Sequence, residues 1–359
     1  MSTISKTFRP DRYIATYSVE EAHDRMRLDQ FLLIYMTSFS REQIKEKIKD
    51  GHALILGRPG KHRPNTKVQY GDTVELTIHK TIHEDEYWRG EKIKFVEEPE
   101  ILYEDEDIYI LSKPPYMATH PTGKHLFYCA TVYLETLNQK TVHSVHRLDR
   151  ETSGVLLLGK NPAASNKLTV AFEEDQVKKC YFFIGKINEE FKGELTIDAH
   201  ERLDGGGEGR MRVYINAHPK DSTEGKRAYT HFKILHQENG YVTGLAFPQT
   251  GRQHQIRKHA QVHGFPLVGD KQYLGGYPLF QRFKDNLTTP EDHDLMEISR
   301  HALHAIALNF PYKGERRTQS SPIPHDLKNW LIDKMTLDLD DFQKQCDDLI
   351  EDYFKTLIK

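Results

Sequence analysis

Cysteine is scarce in this chain, tryptophan scarcer, and long apolar runs are missing. Three cysteines in 359 residues, Cys129, Cys180 and Cys346, are scattered and odd in number. That pattern suits a reducing compartment better than a disulfide scaffold. Each is expected to be a small buried apolar side chain. No run of about 18 apolar residues occurs, so no transmembrane helix is expected. "MSTISKTFRPDRY" lacks an apolar signal core, so a cytoplasmic location is expected. Net charge is −3, giving no global mark of an anion binder. The glycine-rich "DGGGEG" at 204–209 fits no phosphate-loop pattern and reads as a flexible loop. No internal repeat or low-complexity tract is present.

The charge is unevenly placed. Residues 25–80 hold five Arg and six Lys against three Asp and three Glu, whereas residues 324–359 hold five Lys against eight Asp and one Glu. A basic module beside an acidic tail suits local anion binding. The boundaries read as a flexible polar N-terminus over 1–20, a small module over 21–80, a linker over 81–98, a large domain over 99–314 and a helical extension over 315–359. In the small module "RLDQFLLIYM" places Leu28, Phe31, Leu32 and Tyr35 at helical spacing. "SFSREQIKEKIKDG" offers Ser40 as N-cap, Gln43 three residues on, and Gly51 as the stop. "HALILG" and "VQYGDTVELTI" read as strands. Along the extension Leu339, Phe342, Cys346, Leu349, Tyr353 and Leu357 form an amphipathic helix expected to pack on its own domain.

In the large domain, strands are expected at 195–199, 211–215, 227–236 and 241–247, with a helix over 162–176 and a strand over 179–186. Two stretches there carry the chemistry. "SVHRLDRETSGVLLLGK", residues 144–160, sets His146, Arg147, Asp149, Arg150 and Glu151 at the mouth of an apolar strand. Asp149 therefore sits on a loop held by the core, either as a reactive carboxylate or as a turn aspartate binding backbone N–H groups. "FPQTGRQHQIRKHAQVHGFPLVGDKQYLGG", residues 247–276, gathers Arg252, His254, Gln255 and Arg257 around a turn, the donor density that phosphates or base edges require. A helix over Gln255–Val262 would put Arg257 and Gln261 on one face. His254, His259 and His263 lack zinc spacing and have no cysteine nearby, so no metal is expected.

"RLDQFL", "SREQIKEKIKDG" and "YGDTVEL" resemble the S4 RNA-binding domain, with Leu56-Gly57-Arg58-Pro59 standing where that family usually has Asn-Gly. The resemblance implies that Arg41, Lys45 and Lys49 meet RNA phosphates; a solvated helix face is the alternative. "HRLDRETSGVLLLGK", "KCYFFIGK", "TGRQHQIRKHAQVHGFPLVGDKQY" and "RHALHA" together resemble the RluA family of pseudouridine synthases over about residues 99–312. That resemblance implies an α+β pseudouridine synthase fold, with a large mixed, mainly antiparallel sheet flanked by helices. It implies isomerisation of uridine in structured RNA, ribosomal RNA first and transfer RNA second, by a monomer with no cofactor and no obligate protein partner. Asp149 matches the catalytic aspartate, Tyr181 the tyrosine that stacks on uracil, Arg257 the basic residue that pairs with the aspartate, and Arg147 the arginine that fills the gap left by the flipped nucleotide. The carboxylate assists glycosidic cleavage by attack on the sugar, by attack on the base, or by supporting a glycal.

The physics is consistent with those roles. A stacked base must flip out, at a cost of a few kcal/mol that an arginine wedge and an aromatic platform offset. An adjacent arginine keeps a carboxylate ionised. Rejoining the base without hydrolysis asks for a partly apolar enclosure, with Leu267 and Val268 as candidate walls. Two other classes compete: an RNA-binding protein without activity, and a carboxylate glycosidase with Glu151 as the second carboxylate.

Overall fold

The computed structural model describes residues 3–8, 12–36, 39–79, 85–122, 125–205 and 214–356. Its contacts divide the chain into a unit of residues 1–86 with 118–142 and a unit of residues 87–117 with 143–359.

The first unit contains β1 (Thr3–Phe8), β2 (Arg12–Ser18), α1 (Leu28–Tyr35), α2 (Arg41–Lys49), β3 (Ala53–Ile55), β4 (Thr73–His79) and α3 (Ala130–Asn138). Its antiparallel sheet runs β1-β2-β4-β3. The capping box expected at Ser40 forms: Gln43 N–H donates to Ser40 Oγ at 3.3 Å, and Ser40 N–H to Gln43 Oε1 at 2.8 Å. Within the segment 1–20 expected to be flexible, Thr3–Phe8 and Arg12–Ser18 form strands. Tyr13, Ala15, Tyr17 and Val19 are buried in alternation along β2 and its end, the period of a half-buried strand. They share a core with Phe31, Leu32, Ile44 and Ile48. Residues 118–142, expected within the large domain, cluster with this unit.

The second unit opens with a hairpin of β5 (Tyr87–Trp88) and β6 (Glu91–Lys92) in the stretch expected as linker. There follow β7 (Ile101–Glu104), β8 (Ile108–Lys113), β9 (His143–Ser144), β10 (Ser153–Gly159), α4 (Pro162–Glu173), β11 (Lys178–Lys186), β12 (Thr196–Ala199), β13 (Arg202–Gly205), β14 (Ile215–His218) and β15 (Lys226–Arg227). The chain continues with β16 (Thr230–Glu238), β17 (Tyr241–Pro248), α5 (Gln255–Val262), α6 (Gly276–Lys284), α7 (Pro290–Met296), β18 (Leu303–Tyr312), β19 (Glu315–Ser320), α8 (His325–Lys334) and α9 (Leu339–Thr356). Of the strand expected over 211–215, residues 211–213 lie outside the described residues, as does most of "DGGGEG".

The main sheet orders its strands β12-β16-β17-β11-β18-β10-β8-β7, with β9 added on β10 and β19 on β18. Every pairing is antiparallel except β10 with β18, where Ser153 meets His304 and Gly154 meets Ala305. The sheet is thus mixed and mainly antiparallel, as expected. The extension begins as β19 rather than as helix, because "ERRTQS" completes a hairpin on the long β18. Its helices cover one face: Phe342, Cys346, Ile350 and Phe354 pack with Cys180, Phe182, Leu245 and Phe247. Tyr353 lies 4.1 Å from Phe247 between ring centroids. Leu357 lies outside the described residues. No helix among the described residues is long and apolar enough to cross a membrane.

Candidate active site

Successive β11 side chains alternate between the two faces of the sheet, so while Cys180 and Phe182 are buried with the C-terminal helices, Tyr181 points the other way. The β11–β18 register slips between Cys180 and Phe182, leaving two β18 residues opposite Tyr181. Such irregularities re-aim side chains beside functional sites. Tyr181 lines a cavity of about 220 Å³ with Arg147, Asp149, Lys179, Arg252, His254 and Arg257; Leu148, Pro248, Ile256 and Leu303 supply apolar wall.

The loop carrying Asp149 is tied down from several sides. Thr152 N–H donates to Asp149 O at 3.0 Å. Thr152 Oγ1 lies 2.7 Å from His301 Nε2, and Ser153 Oγ lies 2.9 Å from His304 Nδ1. The buried Lys113 ammonium donates to Pro114 O, Met117 O and Arg150 O at 3.0, 2.8 and 3.1 Å. Glu151 accepts from Lys271 Nζ at 2.6 Å and lies 3.5 Å from His301 Nδ1. Arg150 sits over the Tyr116 ring at 5.5 Å. Neither residue is a solvated turn residue. Glu151 is committed to Lys271 and His301, and Asp149 is the one carboxylate among the described residues lining the cavity, which does not supply the pair a glycosidase needs. His146 is structural, since its Nε2 accepts from Leu157 N–H at 2.9 Å and its ring stacks on Phe172.

The helix expected over Gln255–Val262 forms with those limits. It enters through His254 in the left-handed region, φ 52°. From its first turn Arg257 donates Nη1 to Asp149 Oδ2 at 3.0 Å. Its other edge makes a two-bond fork on Asp270, Nε to Oδ2 at 2.6 Å and Nη2 to Oδ1 at 2.8 Å, and Nη2 reaches Gln272 Oε1 at 2.6 Å. Tyr273 stacks against this guanidinium at 5.1 Å and its hydroxyl lies 2.9 Å from His254 Nδ1. Asp270 is fully buried and further held by the N–H groups of Gln272 and Tyr273.

Burial alone would push the Asp149 carboxyl up, but His254, Arg257 and His301 act the other way and hold it well below the usual carboxylate range. Burial and Arg257 push His254 down to about 4, so it is uncharged at neutral pH. The cation that then keeps Asp149 ionised is Arg257. Burial, reinforced by Asp149, raises the Tyr181 phenol, which stays protonated at neutral pH.

Among the expected site residues, Arg147 is exposed at the cavity and Arg252 is exposed there with Nε donating to Arg227 O at 3.1 Å. Gln255 is not available to RNA. Its oxygen accepts from Thr250 Oγ1 and Arg252 N–H at 2.7 and 3.0 Å, and its nitrogen donates to Tyr229 O and Thr230 Oγ1, both at 2.9 Å. All four valences of the amide are filled. Leu267 and Val268 lie in the core and do not line the cavity. Arg41, Lys45 and Lys49 belong to the first unit, where Arg41 lies 3.3 Å from the buried Asp29 and Lys45 lies 2.6 Å from Glu42. Asp270, Tyr273, His301 and Lys179 carry the site without having been singled out in sequence. Asp270 and Tyr273 lie in the long second motif, where Gly-Asp reads simply as a turn.

A family model described as RNA pseudouridylate synthase matches residues 107–262. The ribosomal large subunit pseudouridine synthase D of Yersinia pestis is 30% identical over 92% of this chain and 97% of its own. The protein of the same name from Escherichia coli (strain K12) is also 30% identical, over 92% and 97%. The solved structure of human RNA pseudouridylate synthase domain containing 1 superposes with a TM-score of 0.52 at 20% identity, covering 71% of this chain and 97% of that one, a likeness of fold.

Proposed function

The chain belongs to the RNA pseudouridylate synthase family, and from that premise we propose that it isomerises uridines of large-subunit ribosomal RNA with Asp149 as the catalytic carboxylate. The observation that carries this is the Asp149 carboxylate held at 3.0 Å by Arg257 on a cavity shared with Tyr181. A flipped uridine enters with its base against Tyr181 and its glycosidic bond toward Asp149. Arg147, exposed at the cavity, takes the place of the extruded base in the stack. Leu148, Pro248, Ile256 and Leu303 limit water while the base detaches, turns and rejoins through C5. The carboxylate assists glycosidic cleavage by attack on the sugar, by attack on the base, or by supporting a glycal.

Ribosomal RNA is favoured over transfer RNA because two full-length relatives are named for the ribosomal large subunit. Residues 21–80 serve as an S4-like RNA grip, with exposed Lys49 and the edge of α2 against phosphates. The enzyme acts as a monomer in the cytoplasm, where ribosomal RNA is its partner. Mapping pseudouridines in cellular RNA with and without the gene tests the proposal. A site lost from large-subunit ribosomal RNA supports it, a site lost only from transfer RNA replaces the substrate, and no lost site overturns it.

A further inference from the structure

Lys179 is a cation at the cavity that the reaction just described does not use. It lies on β11 two residues before Tyr181, so both side chains leave the same face of the strand, about 7 Å apart along it. Within one nucleotide a base and its own phosphate are separated on that scale. Both side chains line the cavity, as does Arg252. The Lys179 ammonium donates to Thr250 O at 3.2 Å, and a β-carbon placed on Gly251 would lie 3.7 Å from it. A lysine, a glycine and an arginine thus lie together in the cavity lining, with no side chain on Gly251 to screen the ammonium. An ammonium has three donors, and among the described residues no carboxylate lies within 4.0 Å of this one. Burial pushes it down to about 8; Asp175 opposes the shift from a distance, and the neighbouring cations Lys178 and Arg252 add to it.

We propose that Lys179, with Arg252 beside it, binds a backbone phosphate of the flipped nucleotide, fixing the sugar while Tyr181 holds the base. The proposal rests on the active-site reading above. It gives this half-buried lysine, which has no carboxylate within 4.0 Å among the described residues, a close anionic partner: the RNA supplies it. It also gives the sugar a fixed point during the step in which the base is free to turn. Anchoring the phosphate and the base from one rigid strand makes their spacing a property of the strand rather than of a loop.

The alternative is a strut, with Lys179 merely holding the Thr250 carbonyl. The two differ in whether Lys179 and the RNA phosphate are energetically coupled. The test uses an RNA fragment carrying a mapped target uridine, with the two phosphates flanking it replaced one at a time by methylphosphonate. On unmodified RNA, Lys179→Met is expected to lower kcat/KM about tenfold or more, and Lys179→Arg to stay within about threefold of wild type. At one of the two positions methylphosphonate is expected to cost the wild-type enzyme a similar factor and to cost Lys179→Met nothing further. Additive losses at both positions overturn the proposal. So does a wild-type enzyme indifferent to both replacements, a result needing no variant at all. Lys179→Gln serves as the second neutral variant if Lys179→Met fails to fold. Asp149→Asn, run in parallel, separates the two levels: its inactivity with additive Lys179 losses sinks the phosphate role alone, whereas its full activity sinks the active-site reading itself.

Discussion

Arg257 Nη1 and Asp149 Oδ2, 3.0 Å apart, join a helix to a loop 108 residues earlier in the chain. Arg257 cannot turn to make this bond more or less well, because Asp270 and Gln272 hold its other edge. The carboxylate is therefore oriented by a guanidinium that is itself fixed, and its charge is set by the same contact.

Replacing Asp149 by Asn keeps the size and removes the charge. Pseudouridine formation is expected to fall at least about a thousandfold, the scale seen when a reacting group is deleted, while RNA affinity stays within a few-fold. Single-turnover conversion and a filter-binding titration read the two quantities separately. Substantial residual conversion would remove Asp149 from its role.

Arg257 makes a prediction in pH. With Arg257 present, the Asp149 carboxyl stays ionised far below neutrality, so kcat/KM is expected to show no acid limb between about pH 5 and 7 from this group. In Arg257→Met, burial acts unopposed by the arginine and raises the carboxyl, so an acid limb should move toward neutral pH. Arg257→Lys should not rescue the rate, because an ammonium cannot fork to Asp270 while reaching Asp149. A variant profile superimposable on the wild type would show that Asp149 is ionised by something else.

Much of this site was legible because its two motifs are long and locally structured. The charged turn before "VLLLGK" and the helix Gln255–Val262 follow from local pattern and stand where expected. Pairing across distance was not legible. Nothing local tells that Asp270 rather than Asp149 takes the arginine's fork, or that Glu151 belongs to Lys271 and His301. Gln255 shows the limit from the other side: donor density suggested RNA, but the amide is used up by Thr250, Arg252, Tyr229 and Thr230. Leu267 and Val268 have the residue type of a pocket wall, and periodicity alone does not separate a wall from the core behind it. The β2 strand is hard to read from sequence because its buried positions are Tyr13, Ala15 and Tyr17 while the opposite face carries Ile14 beside Arg12, Thr16 and Ser18, a weak alternation by composition.

Buried histidines make stability depend on pH. Burial lowers His146 to about 3 and His259 and His304 to about 4, and it lowers His301 as well. Unfolded, each would titrate near 6.5. Between those values the unfolded chain binds protons that the folded chain does not, so stability falls as pH drops from about 6.5 toward 4. Each such histidine contributes up to about 1.4 kcal/mol per pH unit in that window. The depressed Asp149 and Asp270 remain ionised throughout it and do not offset the loss. Urea unfolding at pH 7 and pH 5 is expected to show a clear loss at the lower pH; equal midpoints and slopes would refute the linkage.

Gly154 fixes where the Asp149 loop can leave the sheet. It pairs with Lys113 on one side and with Ala305 on the other, at the sole parallel junction among the described strands. Its φ is +109°, and a β-carbon there would stand 2.2 Å from Ala305 O. Gly154→Ala thus meets both a forbidden backbone region and a backbone atom that cannot step aside, and about 3 kcal/mol of destabilisation is expected. The same strain would be relieved most readily by parting β10 from β18, which would shift Thr152 and Ser153 off His301 and His304. Activity should then fall at temperatures where the variant is still folded, because Asp149 moves with that loop. Urea unfolding gives the first quantity and initial rates well below the melting point give the second. A variant that loses stability but keeps wild-type kcat would show that Asp149 is positioned by Arg257 alone and not by the strand junction.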